Sequence, residues 1–352
     1  MIEIVQFIAA LAALIIIHEL GHFLVAKFFK VEIEEFGLGF PPRVATLFEA
    51  GGTKFTLNWI PLGGFVRPKG ENDPEVEGGL AAASPWVRLA VLFAGPFANL
   101  MAGVLLYAII FTNMGSPITN QVQVMDVAEN SPAQMAGVRP GDLILQVNDQ
   151  AIDSTAALER EIRASLDTTT ALVLQRNGEE INTSLVPRSQ PPEGEGAIGI
   201  MMGHPTQPIT FPVALPMGFV AVYDHSIAIL SFPGQLIRGE LSAEEGRIVG
   251  FKGMFDIYSE IRTGEVMPTI PVLVSVMMFF TTITISLGLL NLLPIPALDG
   301  GRILFTLPEI ILRKRIPPHY ENVINLVSFA LLILLLLYVN LQDFINPIEM
   351  PR

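Results

Sequence analysis

The sequence predicts a polytopic α-helical membrane protein that carries a membrane-associated β-sheet and one inserted soluble α+β domain. Of its 352 residues, 51% are hydrophobic and only 16% are charged, whereas about a quarter of the residues in a soluble protein are charged. The apolar residues form long segments, and a more polar stretch separates the second of them from the third. The net charge of −13 argues against nucleic-acid binding. Because the chain has no cysteine, a bound metal must be held by His, Asp or Glu.

Four apolar segments are long enough to cross a bilayer at a rise of about 1.5 Å per residue. These four predicted transmembrane helices cover residues 4–29, 89–114, 267–298 and 323–341. A fifth apolar segment, residues 209–237, contains Asp224, His225 and three prolines, so we predict a helix that lies in the outer membrane interface. The N-terminus lacks the basic residues of a cleavable signal peptide, and the first helix is therefore expected to stay in the mature protein.

The distribution of Lys and Arg predicts the orientation in the membrane. These residues are concentrated in the two short loops, after the first and third spans, and the positive-inside rule places both loops in the cytoplasm. Both termini and the long middle loop are then outside. The predicted organisation is a first transmembrane helix (1–30), a cytoplasmic-side β-sheet region (31–85), a second transmembrane helix (86–116), a soluble domain (117–202), an interfacial helix and linker (203–266), a third transmembrane helix (267–301), a cytoplasmic loop (302–321), and a fourth transmembrane helix with the tail (322–352).

A candidate metal site lies in the first span, where the sequence reads His18-Glu19-Leu20-Gly21-His22. On a helix, residues four apart lie on the same face, so the two imidazoles point to one place with Glu19 beside them. This spacing is typical of zinc sites in which the carboxylate acts on a metal-bound water. In a soluble helix such a short match is often coincidence. Here its flanks are apolar, and ionisable groups within a membrane helix are costly and usually functional.

Asp299 is the natural third ligand under the predicted orientation. The first span runs from outside to inside and carries both histidines in its cytoplasmic half, and the third span runs the same way and ends near Asp299. A fourth position would remain for water, as a catalytic zinc requires. If residues 209–237 crossed the bilayer instead, the third span would reverse and Asp299 would lie on the opposite side.

Residues 31–79, between the first two spans, predict short strands and turns beside the membrane. Alternating segments such as Val31-Glu32-Ile33-Glu34 are separated by glycines and prolines, and the region ends in Ile60-Pro61-Leu62-Gly63-Gly64-Phe65-Val66. Strands of this kind can enter the interface where protein shields their edges.

The soluble domain, residues 117–202, closely resembles a PDZ domain. The resemblance rests on Ser131-Pro132-Ala133, on Ala136-Gly137-Val138-Arg139-Pro140-Gly141-Asp142 and on Val147-Asn148-Asp149. It implies a groove that binds peptide or protein termini as an added strand. Ile198, Gly199 and Ile200 lie where bacterial, circularly permuted PDZ domains keep their peptide-binding strand. The alternative is a purely steric domain with an unused groove.

Taken together, the motifs resemble the site-2 protease family, polytopic zinc metalloproteases that cut other proteins inside the membrane, and in particular its bacterial, regulator-of-sigma-E-protease-like members with one PDZ domain. The resemblance covers nearly the whole chain. It is carried by the PDZ run and by four membrane motifs: His-Glu-Leu-Gly-His-Phe (18–23), Ile-Pro-Leu-Gly-Gly-Phe-Val (60–66), Ala-Gly-Pro-Phe-Ala-Asn-Leu (94–100) and Asn-Leu-Leu-Pro-Ile-Pro-Ala-Leu-Asp-Gly-Gly (291–301).

The resemblance implies a role for each matching residue. His18, His22 and Asp299 would bind Zn²⁺, and Glu19 would be the general base. The remaining implied residues would contact or align the substrate: Asn99 and Asn291 near the scissile segment, and Gly63 and Gly64 in the membrane-embedded sheet. Many relatives carry Gly-Pro-Ile/Val-Gly-Ile before the third span, whereas this chain has Gly-Arg-Ile-Val-Gly-Phe at 246–251, so no role is carried over to that segment.

The expected function is therefore intramembrane proteolysis in a bacterial inner membrane. Single-span membrane proteins such as anti-sigma factors or signal-peptide remnants would be the substrates, and the outer PDZ domain would gate their access. One alternative is a metal-binding transporter, which would need a polar pathway through several helices, yet the second and fourth spans have no ionisable residue in their interiors. Another is an inactive scaffold that presents its PDZ domain, which has no use for an intact His-Glu-x-x-His motif.

Overall fold

A computed structural model describes residues 2–71, 73–192, 194–240, 246–264 and 270–347. The chain divides into two units, one formed by Met1–Ile110 with Phe211–Arg352 and the other by Phe111–Thr210. The first unit begins with helix α1 (Ile2–Phe28), continues with the antiparallel strands β1 (Ile33–Ala50) and β2 (Thr53–Pro68), and then enters helix α2 (Pro85–Met114).

The second unit is a β-sheet flanked by two short helices. Its elements in chain order are β3 (Ser116–Pro117), β4 (Val122–Val127), α3 (Pro132–Met135), β5 (Leu143–Val147), β6 (Gln150–Ala151), α4 (Thr155–Ala164), β7 (Thr170–Arg176), β8 (Glu179–Leu185), β9 (Ile200–Gly203) and β10 (Thr206–Gln207). The main sheet has the order β8-β7-β5-β4-β9, which leaves β9 at one edge. Ser131 and Ser154 cap α3 and α4 through hydrogen bonds to backbone N–H groups.

An ion pair with a buried carboxylate supports this sheet. Arg176 donates two hydrogen bonds to Asp142, from Nε to Oδ1 at 2.7 Å and from Nη2 to Oδ2 at 2.8 Å, and the Arg139 backbone N–H donates a third. Burial alone would raise the pKa of the Asp142 carboxyl, but these donors outweigh it and hold that pKa below its usual range. The run Arg139-Pro140-Gly141-Asp142, which carries the resemblance to a PDZ domain, therefore stabilises the turn before β5.

The described residues of the first unit after Thr210 form the helices α5 (Phe211–Ile237), α6 (Phe251–Thr263), α7 (Val272–Leu292), α8 (Asp299–Leu312) and α9 (Pro318–Ile345). The predicted class, a polytopic helical membrane protein with a β-sheet and an inserted α+β unit, is confirmed. The predicted third span reached Leu298, but α7 ends at Leu292 because prolines 294 and 296 cannot continue a helix. Residues 267–269 of that span lie outside the described residues. The predicted cytoplasmic loop, 302–321, instead contains most of α8.

Among the described residues, five helices are long and apolar enough to cross a membrane, and α5 is one of them. Val222 of α5 packs against Val104 of α2 and Ile285 of α7, near the middle of both partner helices.

The direction of the helices limits the possible crossings. Gly103 packs against Ile285, and Gly288 against Pro96, so α2 and α7 are antiparallel and the end of α2 lies on the same side as the start of α7. If α5 crosses the bilayer, a second segment must cross back before α7 begins. Among the described residues between them, α6 has only 13 residues, or about 20 Å, which is too short to span. The interfacial position of residues 209–237 stays a prediction.

Single-cysteine labelling tests this prediction cleanly, because the chain has no cysteine of its own. With four crossings, Glu240→Cys, just after α5, is expected to react with a membrane-impermeant maleimide in intact cells, like the outer reference Asn346→Cys. The inner reference Lys314→Cys should react only after permeabilisation. Labelling of Glu240→Cys together with Lys314→Cys would show that α5 crosses the bilayer.

Candidate metal centre

Helix α1 brings two imidazoles to one point. His18 and His22 are one turn apart on the same face, and their Nε2 atoms lie 3.2 Å from each other. His18 is only 7% exposed, although it is a polar residue in an otherwise apolar helix. Two Nε2 atoms that converge in such surroundings need a shared partner.

Asp299 completes the cluster from the N-terminus of α8. Its Oδ2 lies 3.2 Å from His18 Nε2 and 3.3 Å from His22 Nε2. Within the described part of the chain, these three residues are the only group of three or more His, Asp or Glu side chains whose ligand atoms could share a metal ion. Their three atoms form a nearly equilateral triangle. Zinc bonds of about 2.0–2.1 Å in a tetrahedron separate the ligands by about 3.3 Å, so the triangle fits Zn²⁺ and leaves one position open.

The outer nitrogens of both imidazoles have partners that orient the rings. His22 Nδ1 lies 2.7 Å from the backbone oxygen of Val91, to which its N–H donates, and this leaves Nε2 free to bind a metal. His18 Nδ1 lies 3.2 Å from Asn99 Nδ2, and Asn99 Oδ1 is buried without a hydrogen-bond partner. A 180° rotation of this amide turns Oδ1 towards His18 Nδ1–H, which satisfies both groups and gives the tautomer that zinc requires.

The substrate-contacting role that the resemblance implies for Asn99 stays a prediction, and in the structure Asn99 joins α2 to α1 through its contact with His18. It is completely buried behind His18 rather than on a wall of the cavity beside the metal cluster. In this arrangement its amide contacts a ligand and not the space that a substrate would occupy. The position is a consequence of close packing between α1 and α2, in which an added Cβ at Gly21 would lie 2.4 Å from the Ala94 oxygen.

The metal cluster opens into a cavity of about 540 Å³. Its walls include the side chains of the cluster, Glu19 of α1 and further residues from the sheet, α7 and α9, among them Phe40, Phe65, Asn291, Asn325 and Phe329. Glu19 faces the same space as the ligands, as its place between the two histidines predicts. Asn291 lies on the wall, and its Nδ2 donates to the Leu287 oxygen one turn earlier.

One edge of the β-sheet borders this cavity. The first half of β1 pairs on one side with Lys54–Leu57 and on the other with Gly64–Pro68, so among the described strands the segment 64–68 has one unpaired side. Its residues Phe65 and Val66 line the cavity. Gly64 allows the strand to approach the helix, since an added Cβ would lie 3.2 Å from Glu19 Cγ, and Gly63 has φ +124°, a conformation that favours glycine.

A second groove lies in the other unit, between α4 and β9. Its lining includes Leu158 and Ile162 from the helix and Ile198, Ile200 and Met202 from the opposite side. The sequence placed Ile198, Gly199 and Ile200 in the peptide-binding strand. The structure begins β9 at Ile200, because Gly199 turns the chain with φ +70° against Ser131 and Ile198 is buried in the core.

Sequence reasoning missed two residues near the metal cluster. Asn325 of α9 lines the cavity and accepts a hydrogen bond from the Ala297 backbone N–H. Arg302 of α8 also lines it and forms an ion pair with Glu71. Both residues lie in the polar sequences that flank the spans. Many polar residues occur there, so the spacing of these two did not distinguish them from their neighbours.

Comparison with known proteins adds family evidence. Residues 6–335 match the model of peptidase family M50. A Campylobacter jejuni relative, named as a zinc metalloprotease, is 32% identical over 97% of this chain and 93% of its own length. The zinc metalloprotease RasP of Geobacillus kaustophilus is 27% identical over 97% of both chains. Among solved structures, the PDZ domain of an SdrC-like protein from Listeria monocytogenes matches 24% of this chain and 87% of its own, with 21% identity and a TM-score of 0.21.

Proposed function

The chain belongs to peptidase family M50 and is a zinc metalloprotease, and we propose that it cleaves membrane-spanning segments of other proteins within the bilayer. The observation that carries this proposal is the location of the candidate site. His18 and His22 lie within a helix of 27 residues that is apolar enough to cross a membrane, and the cavity beside them is bordered by an unpaired strand edge. The proposed substrates are single-span proteins, such as anti-sigma factors or signal-peptide remnants.

We assign a role to each residue around the cavity. His18, His22 and Asp299 would hold the metal, which when bound supplies a Lewis acid that acidifies water and polarises the scissile carbonyl. The Glu19 carboxylate, beside the ligands, would take the proton of the attacking water and return it to the leaving amine. Asn99 would keep the His18 ring in its ligand tautomer, and Asn291 would contact the substrate from the wall.

The strand edge would bind the substrate backbone in an extended conformation, in which the scissile carbonyl is accessible. A helical substrate keeps its carbonyls in its own hydrogen bonds, and unpaired backbone groups are costly in lipid. Among the described strands, residues 64–68 have one side without a strand partner, next to Glu19, so an extended substrate can add to β2 and replace the bonds it loses on unwinding. Gly63 and Gly64 permit this approach.

Reconstituted protein tests the proposal directly. In vesicles with a single-span substrate, we expect one or a few cuts inside the apolar segment, identified by mass spectrometry of the products. Removing zinc with a chelator should abolish cleavage and stoichiometric zinc should restore it, since no other described group supplies the Lewis acid. Cuts only outside the apolar segment, or cleavage that persists in the metal-free protein, would contradict the proposal.

The inserted unit would act outside the membrane as a filter for substrates that have already been trimmed there. Its support is the apolar groove between α4 and the edge strand β9. Deletion of residues 117–202 is then expected to let the protein cut substrates whose outer domains are intact. The matched control is Met135→Ser on the surface of α3, away from the groove, which should leave the filter unchanged. Continued exclusion of untrimmed substrates by the deletion variant would show that the filter lies elsewhere.

The proposed location is a bacterial inner membrane, with the metal cluster in the cytoplasmic half and the inserted unit outside. Its support is the concentration of Lys and Arg in the loops at 30–88 and 302–322. The labelling pattern of the Lys314→Cys and Asn346→Cys references tests this orientation as well.

A further inference from the structure

The turn that presents Asp299 contains a strained residue. Between α7 and α8 the chain reverses through residues 293–298, and Ala297 adopts φ +74°. A residue with a Cβ rarely enters this left-handed region, because the Cβ crowds the backbone carbonyl. Something must therefore hold Ala297 in place, two residues before a metal ligand.

Asn325 supplies the bond that holds it. The Ala297 backbone N–H donates to Asn325 Oδ1 at 3.1 Å, across 28 residues of sequence. Asn325 lies in the first turns of α9 and lines the metal cavity. The residue that precedes α8, Leu298, offers no side-chain cap, so this amide is the polar side chain that fixes the turn from outside.

The rest of the turn transmits the position of Ala297 to Asp299. The first turn of α8 packs directly on the backbone of the reversal: an added Cβ would lie 2.2 Å from the Leu293 oxygen at Gly300, and 2.3 Å from the Ile295 oxygen at Gly301. Such contacts leave no slack. A change in the conformation of Ala297 must therefore shift the start of α8, where Asp299 lies.

Helix α9 has few buried residues between its two ends. Most of its apolar stretch is exposed, and at its far end Asn340 and Asp343 accept hydrogen bonds from the backbone N–H groups of Phe251 and Gly250. Asn325 is thus the polar contact of α9 with the metal cavity among the described residues. Through the Ala297 N–H it connects α9 to the turn that presents one metal ligand, Asp299.

We propose that Asn325 is a positioning residue that holds Asp299 in its metal-binding arrangement through the Ala297 N–H. The proposal rests on the proposed zinc site of His18, His22 and Asp299. It makes the affinity of that site depend on where α9 lies, and by linkage it makes zinc favour the arrangement in which α9 is docked.

The test measures zinc affinity in the purified full-length chain, by competition with a chromophoric chelator. Asn325→Leu is expected to weaken zinc binding by about 10-fold, at the lower end of the effect of removing a group that orients a ligand. Asn322→Leu makes the same change at an exposed position one turn earlier and should bind within about twofold of wild type. The d–d absorption of bound Co²⁺ should change in shape only in Asn325→Leu, because the carboxylate ligand is displaced.

A second substitution separates positioning from general damage to the fold. Glycine adopts φ +74° without strain, so Ala297→Gly removes the need for the Asn325 bond. The double variant Asn325→Leu/Ala297→Gly is expected to recover most of the lost affinity and the wild-type Co²⁺ spectrum. The proposal would be overturned if this rescue failed, or if Asn325→Leu bound zinc as tightly as Asn322→Leu. In either case, zinc binding by the wild type would leave the proposed function intact. Absence of zinc binding in the wild type would overturn both.

Discussion

Glu19→Gln is expected to reduce proteolysis by about 10²–10⁴-fold, the range that general acid–base catalysis contributes, and to leave zinc binding unchanged. The amide has the size of the carboxylate but cannot accept a proton at neutral pH. Glu19 faces the cavity without belonging to the triangle of His18, His22 and Asp299, so its replacement removes no ligand. The measurements are the cleavage rate of a reconstituted single-span substrate and zinc content per chain.

The matched control is Glu77→Gln, the same change on an exposed loop residue of the same unit, which should retain full activity. The comparison also separates the alternative functions. If the protein were an inactive scaffold, Glu19→Gln would have no effect. If it were a metal transporter, the substitution would change at most the metal flux, and proteolysis would stay the same. A Glu19→Gln protein that cleaves at the wild-type rate would remove Glu19 from the mechanism.

Gly95→Ala is expected to abolish both zinc binding and proteolysis, although the change adds only one methyl group. An added Cβ at Gly95 would lie 2.2 Å from His22 Nε2, the atom proposed to bind the metal. The imidazole cannot move away, because its Nδ1–H is held by the Val91 oxygen and α1 packs tightly on α2 at Gly21. Losing one ligand should weaken zinc binding by more than the roughly 100-fold maximum seen when only an orienting partner is removed.

The matched control for this prediction is Gly234→Ala in α5, where an added Cβ meets only Arg238 Nη1, at 3.4 Å. That variant should bind zinc like the wild type. Size-exclusion profiles and thermal stability of both variants report whether the fold is kept, since overpacking a helix contact costs about 1–3 kcal/mol. Normal zinc affinity in a folded Gly95→Ala protein would show that His22 Nε2 is not a ligand.

Much of the candidate site could be predicted from the sequence because it depends on regular helices. A four-residue spacing fixes the relative direction of His18 and His22, and the direction of the spans brings Asp299 to the same side. The structure brings these three together as predicted. The break after Leu292 was also foreseeable from prolines 294 and 296.

The remaining features depend on tertiary contacts that no local pattern encodes. The contact between Asn99 and His18 depends on how closely α2 approaches α1. The sequence around a polar residue in a span looks the same whether its side chain contacts a metal ligand or a substrate. The start of β9 depends on Gly199 turning against Ser131, a residue 68 positions earlier in the chain. The left-handed conformation of Ala297 could not be predicted from the sequence either, because it is imposed by the hydrogen bond to Asn325 and not by the conformational preference of alanine.

The unpaired edge at residues 64–68 also bears on selectivity. Main-chain groups are the same in every peptide bond, so recognition by strand addition carries little information about side chains. Discrimination must then reside in the free energy of opening a candidate helix. Spans weakened by glycine or by β-branched and small polar residues open at lower cost than runs of leucine, so susceptibility would be encoded as local helix instability rather than as a consensus of residues.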